Sequence, residues 1–338
     1  MAHTDEVIPV INRRRMLQIA SALAFTWADR SFAQQQAKQV RIGWIAVGAP
    51  TSRTSLFLDA VKLGLRDLGY IEGRNLVIEA RWVEGSLEQV AELTLDLLRA
   101  RVEIIVAQGQ TIHGVKQAVG GRIPIVFGYS GDPVEAGLVA SLARPGGNLS
   151  GVSYLTNELV GKRFELLREV APGVSRVAIL ANPLHPGESK ELSWSQAAAR
   201  KLGIVLQYLP VRSARDVEAA FGAMTRERAE AIIAFPDALI MLQRKAIAEY
   251  SLQRRIPAVS AWADFAKDGN LMTYGPNLSD SWRHVASYVH KILKGAKPSD
   301  LPVEQPTRIE LVINMKTARA IGLTVPQSVL LRANELIQ

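Results

Sequence analysis

The stretch 123-IPIVFGYSGDPVEAGLVASLARPGGNLSGVS-153 decides how the chain is read. It opens with an apolar run, Ile123 to Phe127, of the length and composition of a buried parallel strand, and the run ends in a small polar loop, Gly128 to Gly131. Ligands of parallel sheets bind at such strand ends. Asp132, Pro133 and Glu135 stand at N-cap, first and third helical positions, which predicts a helix to about Leu142. Pro145, Gly146 and Gly147 stop it. Asn148 to Ser153 follows as a glycine-rich extended segment, and the passage between two lobes is placed there.

On both sides of this stretch the chain repeats strand, loop, helix. Upstream, strands are predicted at Val40 to Val47, Asn75 to Trp82 and Val102 to Ala107. The intervening helices run from about Arg53 to Leu68 and, from a Ser86–Gln89 capping box, to near Ala100. Downstream the strands are Arg176 to Ala181, Ile204 to Leu209, Ala231 to Phe235, Ile256 to Ala261 and Leu271 to Tyr274. Among the helices, Ser213 to Asp216 caps one and Pro236-Asp237 opens a long one to Gln253. Such alternation builds doubly wound parallel sheets with right-handed crossovers. The fold class is therefore α/β, with two doubly wound parallel-sheet lobes joined by a hinge.

After Tyr274 the pattern changes to an amphipathic helix, Leu278 to Leu293, a proline-rich extended segment, Lys297 to Pro306, and a strand at Arg308 to Ile313. This tail is read as recrossing between lobes. Residues 34–152 then form lobe 1, completed by 276–306, and residues 153–275 form lobe 2, completed by 307–338.

With 338 residues, 48% hydrophobic and 21% charged, the chain can bury two cores and is not disordered. The absence of cysteine excludes disulfides, a thiol nucleophile, thiolate metal sites and lipid attachment through cysteine. A net charge of +8 invites nucleic acid, but the basic residues are spread along the helices rather than gathered, so no nucleic-acid partner is expected. Residues 1–33 read as an export signal. Arg13, Arg14 and Arg15 form its basic region, Leu17 to Phe25 its apolar core, and Ser31-Phe32-Ala33 its cleavage site. Asn12 to Gln18 also resembles a twin-arginine pattern. The mature protein is expected to begin at Gln34 and to be periplasmic.

The five histidines form no metal-type pair at helical spacing, so no metal is expected. No GxSxG elbow, SxxK pair, Walker loop or GxGxxG is present, which nominates neither a catalytic residue nor a cofactor. What remains is a set of polar and aromatic residues at strand ends. From the first lobe these are Thr51, Ser52, Gln108, Gln110, Thr111, Tyr129 and Ser130. From the second they are Tyr154, Asn182, Asp237, Trp262, Asp264 and Tyr274. Hydroxyls, amides and helix N-termini suit a carboxylate, an acid suits an amine and flat rings suit apolar groups, so the inventory fits an amino-acid-like ligand. Trp262 and Tyr129 are expected to sandwich its side chain and Asp264 to meet its ammonium. His185, in a proline-flanked loop, is expected to face solvent.

Several motifs carry a resemblance: Leu68-Gly69-Tyr70 with Glu72-Gly73-Arg74-Asn75, Asp132-Pro133-Val134, Ser141 to Asn148, Gly151-Val152-Ser153, Tyr274-Gly275-Pro276 and Leu301 to Thr307. Together they resemble the ABC-transporter substrate-binding family that includes tryptophan- and tyrosine-binding proteins. The resemblance covers nearly all of the mature chain. It implies a type I periplasmic-binding-protein fold, a small-molecule ligand, no chemistry, delivery to an ABC permease in the inner membrane, and a monomer. The alternative reading is a two-lobe glycosyltransferase-like enzyme. A sugar-responsive transcription regulator of the same lobe fold would need a helix-turn-helix head, where this chain offers a signal.

Overall fold

The structure, a computed structural model, describes residues 39–50, 55–84, 86–154, 157–185 and 187–338. The export signal, Thr51 and Ser52 lie outside them.

In the first lobe the apolar runs become β1 (Val40–Val47), β2 (Leu76–Val83), β3 (Ile104–Gln108), β4 (Ile125–Tyr129) and β5 (Leu149–Ser153). They pair in parallel in the order β2-β1-β3-β4-β5. The second lobe holds β6 (Arg176–Ala181), β7 (Val205–Pro210), β8 (Ala231–Ala234), β9 (Ala258–Ser260), β10 (Met272–Pro276), β11 (Ile309–Asn314) and β12 (Glu335–Ile337). Its order is β12-β11-β10-β9-β8-β6-β7. Leaving out β11 and β12, both lobes wind first strand, second strand outward, then third to fifth the other way. Each lobe thus has its own topological switch point, at β1/β3 and at β6/β8.

The tail determines how the lobes join. After β10 the helix Leu278–Leu293 returns to the first lobe and packs on the helix Ser55–Asp67. The approach is close at Gly64, where a Cβ would sit 2.5 Å from the Arg283 carbonyl oxygen. Residues 301–304 then line the outer edge of β5: Ser150 Oγ donates to the Leu301 carbonyl at 2.6 Å, and Ser153 N–H to the Glu304 carbonyl at 3.0 Å. The chain re-enters the second lobe as β11, which is antiparallel to β10 because it comes back beside the strand it left.

Three sequence expectations are corrected. Residues 132–142 form successive turns rather than a helix. Asp132 does cap them, accepting from the N–H groups of Val134 and Glu135, but Gly137 adopts φ +65°, which ends helical geometry after one turn. Asn148 to Ser153 is largely β5, a sheet strand in register with β4, so the chain leaves the first lobe after it. The long helix expected from Asp237 is two helices, Ala238–Leu242 and Arg244–Arg254, broken at Gln243. The Arg244 guanidinium donates to the Met241 carbonyl at 2.8 Å, satisfying the end of the first helix.

One core runs through both lobes. It passes from Trp44 over Trp282, Tyr154 and Trp262 to Leu180 and Ile232, and the outer face of each sheet has a further core of its own. Among the described residues no helix is long and apolar enough to cross a membrane.

Candidate functional site

The carboxyl ends of both sheets face one another across a cleft of about 530 Å³. The first lobe lines it with Val47 and Gly48 after β1, Val83 and Glu84 after β2, Gln108 to Gln110 after β3, and Gly128 and Ser130 at β4. The second lobe lines it with Asn182, Leu184 and His185 after β6, Arg212 after β7, Asp237 to Leu239 after β8, and Trp262 after β9. The residues beside β1/β3 and β6/β8 are those the switch-point rule selects.

An aromatic wall stands on the first lobe. Phe57, at the start of the helix Ser55–Asp67, stacks on Trp282 with centroids 5.6 Å apart and planes at 20°. Trp282 meets Trp44 edge-on at 5.3 Å and Tyr154 at 6.3 Å. Gly128 makes room for this packing, since a Cβ there would lie 2.5 Å from both Trp282 and the Tyr154 hydroxyl. Trp262 faces from the other lobe and is 7% exposed.

Among the polar groups of the lining, Asn182, His185 and Asp237 are buried. Asp237 is 3% exposed and its Oδ1 accepts from the N–H groups of Leu239 and Ile240, at 2.8 and 3.3 Å. The second carboxylate oxygen is then left for the cleft. Gly187 N–H donates to His185 Nδ1 at 3.2 Å, so in the neutral ring the proton sits on Nε2, which donates to Ser130 Oγ at 2.6 Å. Burial holds the His185 pKa below its ordinary value, against the opposing pull of Asp237 and Glu188. Gln108 Oε1 and the Tyr154 hydroxyl are enclosed without a hydrogen-bond partner among the described residues. Burial raises the Tyr154 pKa, so the phenol stays neutral.

Behind Tyr154, Trp262 and Ser130 lies a second cavity of about 10 Å³, which Arg163 and Glu191 also line. Arg163 Nη1 donates to Glu191 Oε1 at 2.6 Å and its Nε to the Tyr274 carbonyl at 3.0 Å. Burial raises the Glu191 pKa, while the guanidinium opposes that rise. This pair ties two helices of the second lobe to the strand by which the chain leaves it.

Of the residues nominated from sequence, the fold brings Gln108, Gln110, Ser130, Tyr154, Asn182, Asp237 and Trp262 to the cleft. Thr111, Tyr129, Asp264 and Tyr274 are placed elsewhere. Thr111 is fully buried, with its hydroxyl on the Gln108 carbonyl. Tyr129 shares the Ile125/Phe127 face of β4 and points into the outer core, 3.3 Å from His113 Nε2, because strand side chains alternate. Asp264 stands in the first turn of the helix Ala263–Lys267, and Tyr274 packs against the second lobe's outer core. Of the two acids nominated from sequence, Asp237 and not Asp264 lines the cleft, and Tyr129 does not face Trp262 across it. His185 is buried in the cleft wall rather than solvent-facing. Sequence reading also passed over Phe57 and Trp282, which sit on helices. Their signal was an aromatic residue in the first turns of a helix that follows a strand-end loop.

A sequence model of ABC transporter substrate binding proteins matches residues 45–337. The chain belongs to that family. It is 25% identical to a Streptococcus pneumoniae ABC domain solved in complex with L-Trp, with a TM-score of 0.81 over 89% of this chain and 100% of that one. It is 26% identical to a conserved domain protein of Vibrio cholerae, with a TM-score of 0.82 over 88% of this chain and 100% of that one. A tyrosine-binding protein of Clostridioides difficile is 23% identical over 271 residues, 79% of this chain and 77% of the relative. The fold is that of type I periplasmic binding proteins, and the family is one of transport substrate-binding proteins. The glycosyltransferase-like alternative finds no support in these relatives.

Proposed function

We propose that this ABC transporter substrate-binding protein captures an aromatic amino acid, or a close analogue, between its lobes and hands it to an inner-membrane permease. The observation that carries the reading is the pairing of an aromatic slot with a buried carboxylate. Trp262 on one lobe faces Phe57 and Trp282 on the other, with Tyr154 at the crossing between them and Asp237 also lining the slot. Flat rings gain about 0.5–1.5 kcal/mol beyond burial from such packing. Among the described residues no lysine or arginine forms an ion pair with Asp237, and a buried carboxylate without such a pair favours a ligand that brings a cation. Gln108 and Gln110, at the start of the helix Thr111–Val119, offer amide donors to the ligand's carboxylate. The L-Trp complex and the tyrosine-binding relative support the same class.

The lobes, drawn from sequence as residues 34–152 with 276–306 and 153–275 with 307–338 and shifted by one residue to keep Ser153 in β5 and Pro276 in β10, open and close about the crossings near residues 154, 277 and 306. Thr51 and Ser52 remain candidates for the rim after β1. The basic, apolar and small-residue pattern of residues 1–33 supports export to the periplasm with cleavage after Ala33, by the Sec or the twin-arginine route, and the protein acts there as a monomer.

Calorimetric titration and melting curves with the twenty amino acids, their deaminated analogues and small sugars test this, because a ligand of the folded state raises its melting temperature. L-tryptophan or L-tyrosine is expected to give the largest shift. A sugar giving it instead would overturn the ligand class.

A further inference from the structure

Beside the cleft, three contacts join the lobes at one seam. Ser130, after β4, accepts from His185 Nε2 at 2.6 Å. Gly187 lies against the backbone of the same turn, where an added Cβ would stand 2.9 Å from Gly131 Cα and 3.1 Å from the Ser130 carbonyl oxygen. At the outer margin Lys190 Nζ reaches Asp132 Oδ2 at 2.5 Å and Glu135 Oε2 at 3.0 Å. Asp132 is prepared for this bond, because its Oδ1 is occupied by two backbone N–H groups of its own turn. Although burial opposes it, the hydrogen bond from Lys190 and those from Glu135 and Val134 hold the Asp132 carboxyl below its ordinary pKa.

These contacts share a direction. Every one runs from the turn after β4 to the loop after β6 or the first turn of the helix Glu188–Leu202, and every one is lost when the lobes part. Ser130 and His185 also line the cleft, so the seam begins where the ligand lies. We propose that Ser130–His185, the Gly131–Gly187 contact and Lys190 with Asp132 and Glu135 form a latch that holds the cleft shut, with His185 and Lys190 as its positioning residues. The latch rests on the reading of lobes that open and close. It sets the rate at which captured ligand escapes, and its polar bonds are replaced by water when the cleft opens, which keeps opening within reach.

The chain has no cysteine, so spin labels can be placed cleanly. Glu92 and Glu218, exposed on helices of opposite lobes, are suitable positions as Glu92→Cys and Glu218→Cys. Inter-label distances are measured on the mature chain, without ligand and with L-tryptophan as probe. Ser130→Ala is expected to raise the open-to-closed ratio up to about tenfold, in keeping with loss of one partly buried hydrogen bond. Gly187→Ala, which lines no part of the cleft, is expected to lengthen the distance as well. Lys190→Met should shift the ratio about two- to fivefold, because its pair is partly exposed. Lys162→Met removes a similar ion pair within one lobe and should shift nothing. Distance distributions for Ser130→Ala and Gly187→Ala that superimpose on the parent, with unchanged melting temperatures, would overturn the latch. The ligand-free arm decides this even if L-tryptophan does not bind, which would count against the ligand class alone.

Discussion

The two lobes wind their first five strands in the same order, yet they bring different chemistry to the cleft. The first contributes the rings of Phe57 and Trp282, the amides of Gln108 and Gln110 and the Glu84 carboxylate; the second contributes Asp237, His185, Arg212 and Asn182, with Trp262 as its one large ring and Tyr154 standing at the crossing. The difference comes from what is laid over each sheet. In the first lobe the returning helix Leu278–Leu293 covers the inner face and delivers Trp282 to the floor of the site. In the second, strand ends and a short helix N-terminus meet the cleft directly, so capping and loop residues are the ones that face ligand. Equal topology therefore sets where the site lies, while the covering layer sets its chemistry.

The comparison assigns the two tryptophans different duties, and the largest expected effect tests that. Trp282 is 1% exposed and packs among Trp44, Phe57 and Tyr154. Trp282→Ala should cost about 3–5 kcal/mol of stability in denaturant unfolding, with affinity lost as a consequence. Trp262 lines the gap between lobes as well as the shared core, so Trp262→Ala should weaken L-tryptophan binding by about 1–3 kcal/mol in calorimetry and cost less stability than Trp282→Ala. Equal losses of stability in both variants would erase the distinction.

Asp237→Asn sharpens the contrast from the other side. Asparagine keeps an oxygen for the N–H groups of Leu239 and Ile240, so the cap survives while the charge goes. Binding of an α-amino acid should fall by about 1.5–3 kcal/mol, the worth of a charge-assisted hydrogen bond. Binding of its deaminated analogue, indole-3-propionate for L-tryptophan, should hold or improve. Equal weakening of both would remove Asp237 from the ammonium's site.

The fold was legible because the second lobe's β6, like β1 and β4 of the first, announces itself as a short apolar run ended by a polar loop, and a run buried on both faces is a local signal. Residues 132–142 were misread because a cap followed by a proline looks like any helix start, and the left-handed Gly137 is visible only in the backbone. In the site, strand-end residues such as Gln108, Asn182 and Trp262 could be named from position alone. Tyr129 could not be sided without the register: one residue along β4 separates the outer core from the cleft. Phe57 and Trp282 depended on a packing of distant helices that no local pattern encodes. His185 looked exposed because its loop is proline-flanked, yet Ser130 of the other lobe closes over it.

The smallest effect concerns that histidine and pH. With the lobes closed, burial depresses the His185 pKa, and Asp237 and Glu188 offset only part of the depression. Once the lobes part, water returns the ring toward its ordinary value near ~6.5. The closed form thus binds fewer protons than the open form. Closure is fully favoured above ~6.5 and weakens as pH falls through that value toward the depressed one, by at most about 1.4 kcal/mol per pH unit. A proton arriving on Nδ1 would also confront the N–H of Gly187, two donors facing each other. Between pH 7 and 5 Lys190 and Asp132 keep their charge: Lys190 is raised by its hydrogen bond to Asp132, and Asp132 is held low. L-tryptophan affinity measured across that window should therefore decline with acid in the parent chain. In His185→Gln, whose amide can still donate to Ser130 but does not titrate, the decline should flatten. A slope of equal size in both would show that some other group carries the proton and that the second lobe's histidine is only a structural contact.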